Sequence, residues 1–291
     1  MFIMSKKKNK STKKIATNVS YRMKNGAVKV RKGEYMDISE SIQFSTEQSI
    51  LSRLDNIISK EDVLVDTSDC KVSIKTLMTN ELYTAEAIFR LGNKKVHTIV
   101  IPVSKKEAIS SFDFLEATIL SAILRTGTLG YVYNNIAESW KAMNEENTSS
   151  FTNVLYVPKV LEFIDFNKGK VRKCNLFNIN VLVVALPSKN AIIEEVKSDD
   201  NDIDEKDVDS LLASRVIADI CDAAIKCGCK DLIIDPFGYK FLEKDKTETS
   251  SLWKQITTSQ RFIENIDSVT FTTDDNSDYV VFSSANHDSI V

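Results

Sequence analysis

Ile179-Asn180-Val181-Leu182-Val183-Val184-Ala185-Leu186, closed by Pro187, decides the fold. Seven of these eight residues are apolar, and three are valines. A strand with one wet face alternates apolar and polar side chains, whereas a strand covered on both faces reads as a continuous apolar run. The segment therefore predicts a central strand over 178–186, sandwiched between two layers.

Working outward, the same signature recurs at Val96–Val103 and at Asp231–Asp235. Strands are also expected over Lys71–Leu77, Val154–Val160, Phe163–Phe166 and Ser268–Thr273. Asn25-Gly26 and Lys32-Gly33 bracket alternating residues and predict a hairpin over 26–38. Helical stretches fall between the strands. One is expected from Ser45, as N-cap, through Ile58. Others are expected from Thr79 or Asn80 to Leu91, over Phe112–Arg125, over Ser139–Glu146 and over Ser250–Asn265. The longest spans Lys206–Lys226. Its inner stripe is Val208, Leu211, Leu212, Val216, Ile220, Ala223 and Ala224, with Arg215 as the exception, and Gly228 stops it. Strand–helix alternation with continuous apolar strands predicts an α/β protein, with a mixed sheet and helices on both faces. The expected organisation is a basic tail over 1–18, one domain over 19–278 and a C-terminal tail over 279–291. Residues 139–153 and 189–207 read as surface loops.

The chain has 291 residues, 43% apolar and 27% charged, with a net charge of −3. These values suit a globular protein and give no global pull toward nucleic acid. No apolar run reaches the ~18 residues of a membrane-spanning helix, so no membrane association is expected. Met1-Phe2-Ile3-Met4 leads into lysines instead of a cleavage site. Five cysteines without a disulfide-like spacing fit a reducing compartment. An intracellular, cytoplasmic protein is expected. The Lys- and Asn-rich composition fits an A+T-rich genome, including that of a virus in an infected host. Cys227-Gly228-Cys229 is one residue short of a zinc knuckle and reads as thiols at a helix end. No metal site and no cofactor are expected. His97, at the edge of a strand, and His287, in the expected tail, are the two histidines. Neither is placed for a triad.

Charge is concentrated at the N-terminus, where Lys6, Lys7, Lys8, Lys10, Lys13 and Lys14 form a run. Such a run is a solvated tail or a contact for RNA or another polyanion. Lys105, Lys106, Lys168, Lys170, Arg172 and Lys173 could extend such a surface. Glycine is scarce, at 8 of 291 residues. Loops that cradle phosphates use glycine because the backbone must turn sharply and approach closely. Here there is no G-x-G-x-x-G and no Walker pattern. Gly127-Thr128-Leu129-Gly130 is the closest approximation, a candidate flexible loop.

Several blocks, in order, resemble the microbial-type poly(ADP-ribose) glycohydrolases. Met78-Thr79-Asn80-Glu81-Leu82-Tyr83-Thr84-Ala85-Glu86-Ala87 is similar to the family's "TNETTLEAA". Val96–Ser104 stands where the family has a strand ending in "FASA". Tyr156–Asp165 resembles "YSPDVPVFRDD", Val183–Ser188 resembles "ITAAAPN", and Asp231–Gly238 parallels "ALVLGAWG". The resemblance covers roughly residues 20–275 and implies a macrodomain, a three-layer α/β/α fold that binds ADP-ribose in this family.

The chain departs from the family at the chemical positions. A Gly-Gly-Gly loop followed by Gln-Glu-Glu is replaced by Lys105-Lys106-Glu107-Ala108-Ile109-Ser110-Ser111-Phe112, then Leu115-Glu116-Ala117. In one register Glu116 matches the first glutamate and Ala117 the catalytic one. Shifted by one, Glu116 is the catalytic glutamate. The second loop, Gly-Cys-Gly in the family, reads Gly238-Tyr239-Lys240, and its following aromatic aligns with Leu242, beside Phe241. The asparagine of the first strand becomes Ile101 or Pro102. The resemblance thus implies Gly238, Lys240, Phe241 and Asp113 as ligand-binding positions, and Glu116 as the general acid if activity survives. Each has a plainer reading: Glu116 and Asp113 as helix carboxylates, Lys240 as a solvated lysine. Side chains at both loops would crowd a diphosphate. The expectation is a catalytically degenerate macrodomain-like protein that serves as a binding or structural module for protein or nucleic acid. The alternative is a protein that still binds or hydrolyses ADP-ribose-type ligands.

Overall fold

The computed structural model describes residues 23–24, 27–31, 34–54, 72–78, 95–110, 123–124, 127–145, 150–162, 164–165, 170–171, 176–199, 205–234, 245–273 and 275–287. A three-stranded antiparallel meander opens the described chain: β1 (Met23–Lys24), β2 (Ala27–Arg31) and β3 (Glu34–Asp37). It contains the expected hairpin. Helix α1 (Ser39–Glu47) follows, then β4 (Ile50–Leu54) and β5 (Ser73–Met78). Next come β6 (Thr98–Ser104), α2 (Lys105–Ser110), α3 (Leu129–Glu145), β7 (Thr152–Glu162), the short β8 (Ile164–Asp165) and β9 (Lys170–Val171), and β10 (Phe177–Leu186). The chain ends with α4 (Lys189–Asp199), α5 (Glu205–Lys226), β11 (Asp231–Ile234), α6 (Lys246–Thr257), α7 (Gln260–Asn265), β12 (Ser268–Thr273) and α8 (Asn276–His287).

Seven strands form one mixed sheet in the order β4-β7-β10-β6-β11-β12-β5. β10, β6, β11, β12 and β5 run parallel, while β7 is antiparallel to both β10 and β4. The residues quoted first lie at the centre. Leu182, Val184 and Leu186 enter one core, with α5 residues Leu212, Val216 and Ile220 and with Trp253, Phe271 and Phe282. Val181, Val183 and Ala185 enter the other, with Leu129, Val132 and Trp140 of α3. Alternate residues of one strand thus feed two cores, which is why the run has no polar period. Each fully buried Val or Leu contributes roughly 1.5–3 kcal/mol. The result is three layers, α/β/α, as expected.

α5 buries Leu212, Val216, Ile220, Ala223 and Ala224 of its expected stripe but exposes Leu211, and it stops as read. Gly228 adopts φ of +66°, its N–H donates to the Ile225 carbonyl at 2.9 Å, and the Cys229 N–H reaches the Ala224 carbonyl at 3.0 Å. Arg215 sits in the stripe because its charge is met internally. Its Nε is 3.0 Å from Asp219 Oδ1, and Nη1 is 3.7 Å from Glu195 Oε2.

Several expectations differ. The helix expected from Ser45 lies earlier, at Ser39–Glu47, and Ile50–Leu54 is an edge strand because it pairs with β7. Ser45 caps nothing; its hydroxyl donates to the Lys159 carbonyl at 3.2 Å. Gly127 and Thr128 form no loose loop. Thr128 N–H donates to Leu161 O, and Thr128 Oγ1 accepts the Leu161 N–H, both at 3.0 Å. A Cβ on Gly127 would lie 2.4 Å from Glu162 Oε1, so glycine there permits close packing. Residues 189–199 and most of 139–153 are helix or strand instead of loop. The expected tail from 279 is helical to His287, with Phe282 only 1% exposed. Phe282 and the partly buried Val281 give that helix its inner side, which packs against β5, β12 and α6, while Val280 faces out.

Candidate functional site

In an open α/β sheet, ligands bind beyond the carboxyl ends of the parallel strands. Here that edge collects the ends of β6, β10, β11 and β12, and α2, α4, α6 and α8 are the next described helices after them. The four helix starts share one feature: oxygens of the chain's own side chains occupy their first-turn N–H groups.

β6 passes into α2 without an intervening loop. Ser104 is the last residue of the strand. Glu107 Oε2 accepts both the Ser104 N–H and the Ser104 hydroxyl, each at 2.9 Å. The Glu107 N–H returns to Ser104 Oγ at 3.1 Å. This is a capping box, legible as Ser104-x-x-Glu107 and missed by a reading intent on absent glycines. Lys105 is buried and Lys106 exposed. α2 is anchored from behind, where Trp140 Nε1 donates to the Ala108 carbonyl at 3.0 Å.

At the end of β10, Ser188 Oγ accepts the Ala191 N–H at 3.2 Å. At the start of α6, Asp245 Oδ1 accepts N–H groups from Thr247 at 2.8 Å and Glu248 at 3.4 Å. Beyond β12, Asp275 Oδ1 accepts from Ser277 N–H at 2.7 Å and Asp278 N–H at 3.3 Å. The Thr247 and Glu248 N–H groups hold the Asp245 carboxyl below the usual carboxylate range, and the Ser277 hydroxyl, with the two N–H groups, does the same for Asp275. Lys246 bridges the two starts. Its ammonium contacts the fully buried Asp278 and donates to Ser277 Oγ at 2.7 Å.

Pro102, which stands near the family's asparagine position, is buried inside β6. A central strand rarely tolerates proline, which lacks an N–H. β11 pairs with β6 only as far as Val100, so the ladder on that side has ended before Pro102.

The positions implied for ligand and catalysis, Glu116, Asp113, Gly238, Lys240 and Phe241, lie outside the described residues. So do Lys6, Lys7, Lys8, Lys10, Lys13 and Lys14, as well as Lys168, Arg172 and Lys173. His97 is placed at the opposite edge, where burial lowers its pKa and Asp231 opposes the shift. Burial pushes the Cys227 and Cys229 thiols up to about 12 and about 11, so both are protonated at neutral pH and poor nucleophiles. Among the described residues there is no group of three or more His, Cys, Asp or Glu placed to hold a metal ion. No helix among them is long and apolar enough to cross a membrane.

The strand order, the strand–helix joins at one edge and the two-sided core can be set against solved structures. The poly(ADP-ribose) glycohydrolase of Thermomonospora curvata aligns over 95% of this chain and 99% of its own, with a TM-score of 0.69 and 14% identity. The fold is that of the bacterial poly(ADP-ribose) glycohydrolases. The Deinococcus radiodurans poly(ADP-ribose) glycohydrolase, solved in complex with ADP-ribose, aligns over 84% of this chain and 96% of its own. Its TM-score is 0.57 and its identity 14%. No family model matches the chain, and no curated protein matches it. The glycohydrolase likeness is therefore one of architecture, with the chemical positions free to differ.

Proposed function

We propose that this chain is a catalytically degenerate macrodomain-like protein, retained as a binding or structural module, in which the ADP-ribose site has been given up. The observation that carries the reading is the join between β6 and α2. A diphosphate needs backbone N–H groups that are free and approachable. Here the strand runs straight into a helix whose first turn is closed by Glu107, a carboxylate that would repel a phosphate. Ser188, Asp245 and Asp275 serve the neighbouring helix starts in the same way, two of them with negative charge. The sequence supports the same conclusion independently, since Gly238-Tyr239-Lys240 lacks the second glycine of the other phosphate loop. The lysine run at residues 6–14 is the part of the chain suited to a polyanion.

A second reading is favoured by the likeness to a glycohydrolase solved with ADP-ribose. In it Lys240 replaces lost backbone donors with a point charge, and Glu116 protonates the leaving oxygen. Calorimetric titration with ADP-ribose separates the two. The first reading expects no heat at millimolar ligand from protein whose fold is verified by circular dichroism. One-to-one binding that weakens in Lys240→Glu would overturn it, and glycohydrolase activity lost in Glu116→Ala would establish the second.

A further inference from the structure

We draw no further inference here: the strongest candidate, the groove of about 400 Å³ between helices α1 and α3 lined by Ile42, Gln43, Thr46 and Asn135, carries nothing because nothing among the described residues shows what covers it.

Discussion

Glu107 and Ser104 satisfy one another. The glutamate carboxylate accepts the serine N–H and hydroxyl, each at 2.9 Å, and the glutamate N–H returns to the serine oxygen at 3.1 Å. The pair fixes where β6 ends and α2 begins. Loss of a cap side chain costs about 1 kcal/mol. Glu107→Ala should therefore lower the urea midpoint by an amount equivalent to about 1 kcal/mol, with Glu107→Gln retaining much of the difference. An unchanged midpoint in Glu107→Ala would mean that the box does not hold the strand–helix join.

A buried pair joins α5 to the sheet. Asp219 takes the Arg215 Nε at 3.0 Å and the Thr152 hydroxyl at 2.5 Å, with both charged residues only 6% exposed. Removing one partner of a buried pair costs about 3–5 kcal/mol when the other charge is left with no partner. Arg215 would keep the longer contact to Glu195 at 3.7 Å, so Asp219→Ala should cost about 3 kcal/mol by equilibrium unfolding. Replacing both, as Arg215→Met/Asp219→Leu, should recover a large part of the loss. A double variant less stable than Asp219→Ala would contradict the uncompensated charge as its cause.

The central strands and α5 were legible because burial on both faces, or along one helical stripe, writes itself directly into apolar spacing. Position-dependent partners were less so. Ile50–Leu54 continues a pattern that suits a helix from Ser45, yet pairing with β7 overrides that local preference. The expected helix over Ser250–Asn265 breaks because Ser259 turns extended and starts a second helix, accepting the Phe262 N–H at 3.4 Å. At the candidate site, Ser104-x-x-Glu107 was written in the sequence; in the core, so was Asp219 one turn after Arg215. Thr152 was not, since only the fold brings residue 152 to residue 219. The likeness to glycohydrolases was legible as ordered blocks. The internal capping of the neighbouring helix starts required the structure.

Stability against pH should carry two opposed signatures. Asp245 has its carboxyl held below its ordinary value of 3.8 by the N–H groups it caps, and Asp275 by the Ser277 hydroxyl and then the N–H groups it caps. Their contribution is present above that value and is lost as pH falls through the folded-state pKa. Asp219 is shifted the other way, since burial raises it despite Arg215 and Thr152. Its contribution is present below 3.8 and is lost as pH rises through its raised folded-state value. Melting temperatures of Asp245→Asn/Asp275→Asn measured from pH 6 down to pH 2.5 should show a flatter acid limb than the parent. A limb of unchanged steepness would remove both caps from the account.

Lys159 lies in the middle of β7 with φ of 51°, in the left-handed region. Its N–H donates to Asn180 Oδ1 at 3.0 Å, its carbonyl accepts the Ser45 hydroxyl, and its ammonium stands 4.6 Å from the Phe44 ring centroid. The pairing register shifts here, with Pro158 and Lys159 of β7 opposing Asn180 alone, so the local backbone is built around this conformation. Valine normally outranks glycine in a strand, by up to about 1 kcal/mol. A β-branched residue is a severe outlier at positive φ, whereas glycine adopts it freely. The order should therefore invert. Lys159→Val should lose about 1–2 kcal/mol by chemical denaturation, and Lys159→Gly should stay within about 0.5 kcal/mol of the parent, its strain relief offsetting the lost contact with Phe44. Valine at 159 as stable as glycine would show that the strand relaxes to ordinary extended geometry, and that the bond from Ser45 to the Lys159 carbonyl does not hold the bend.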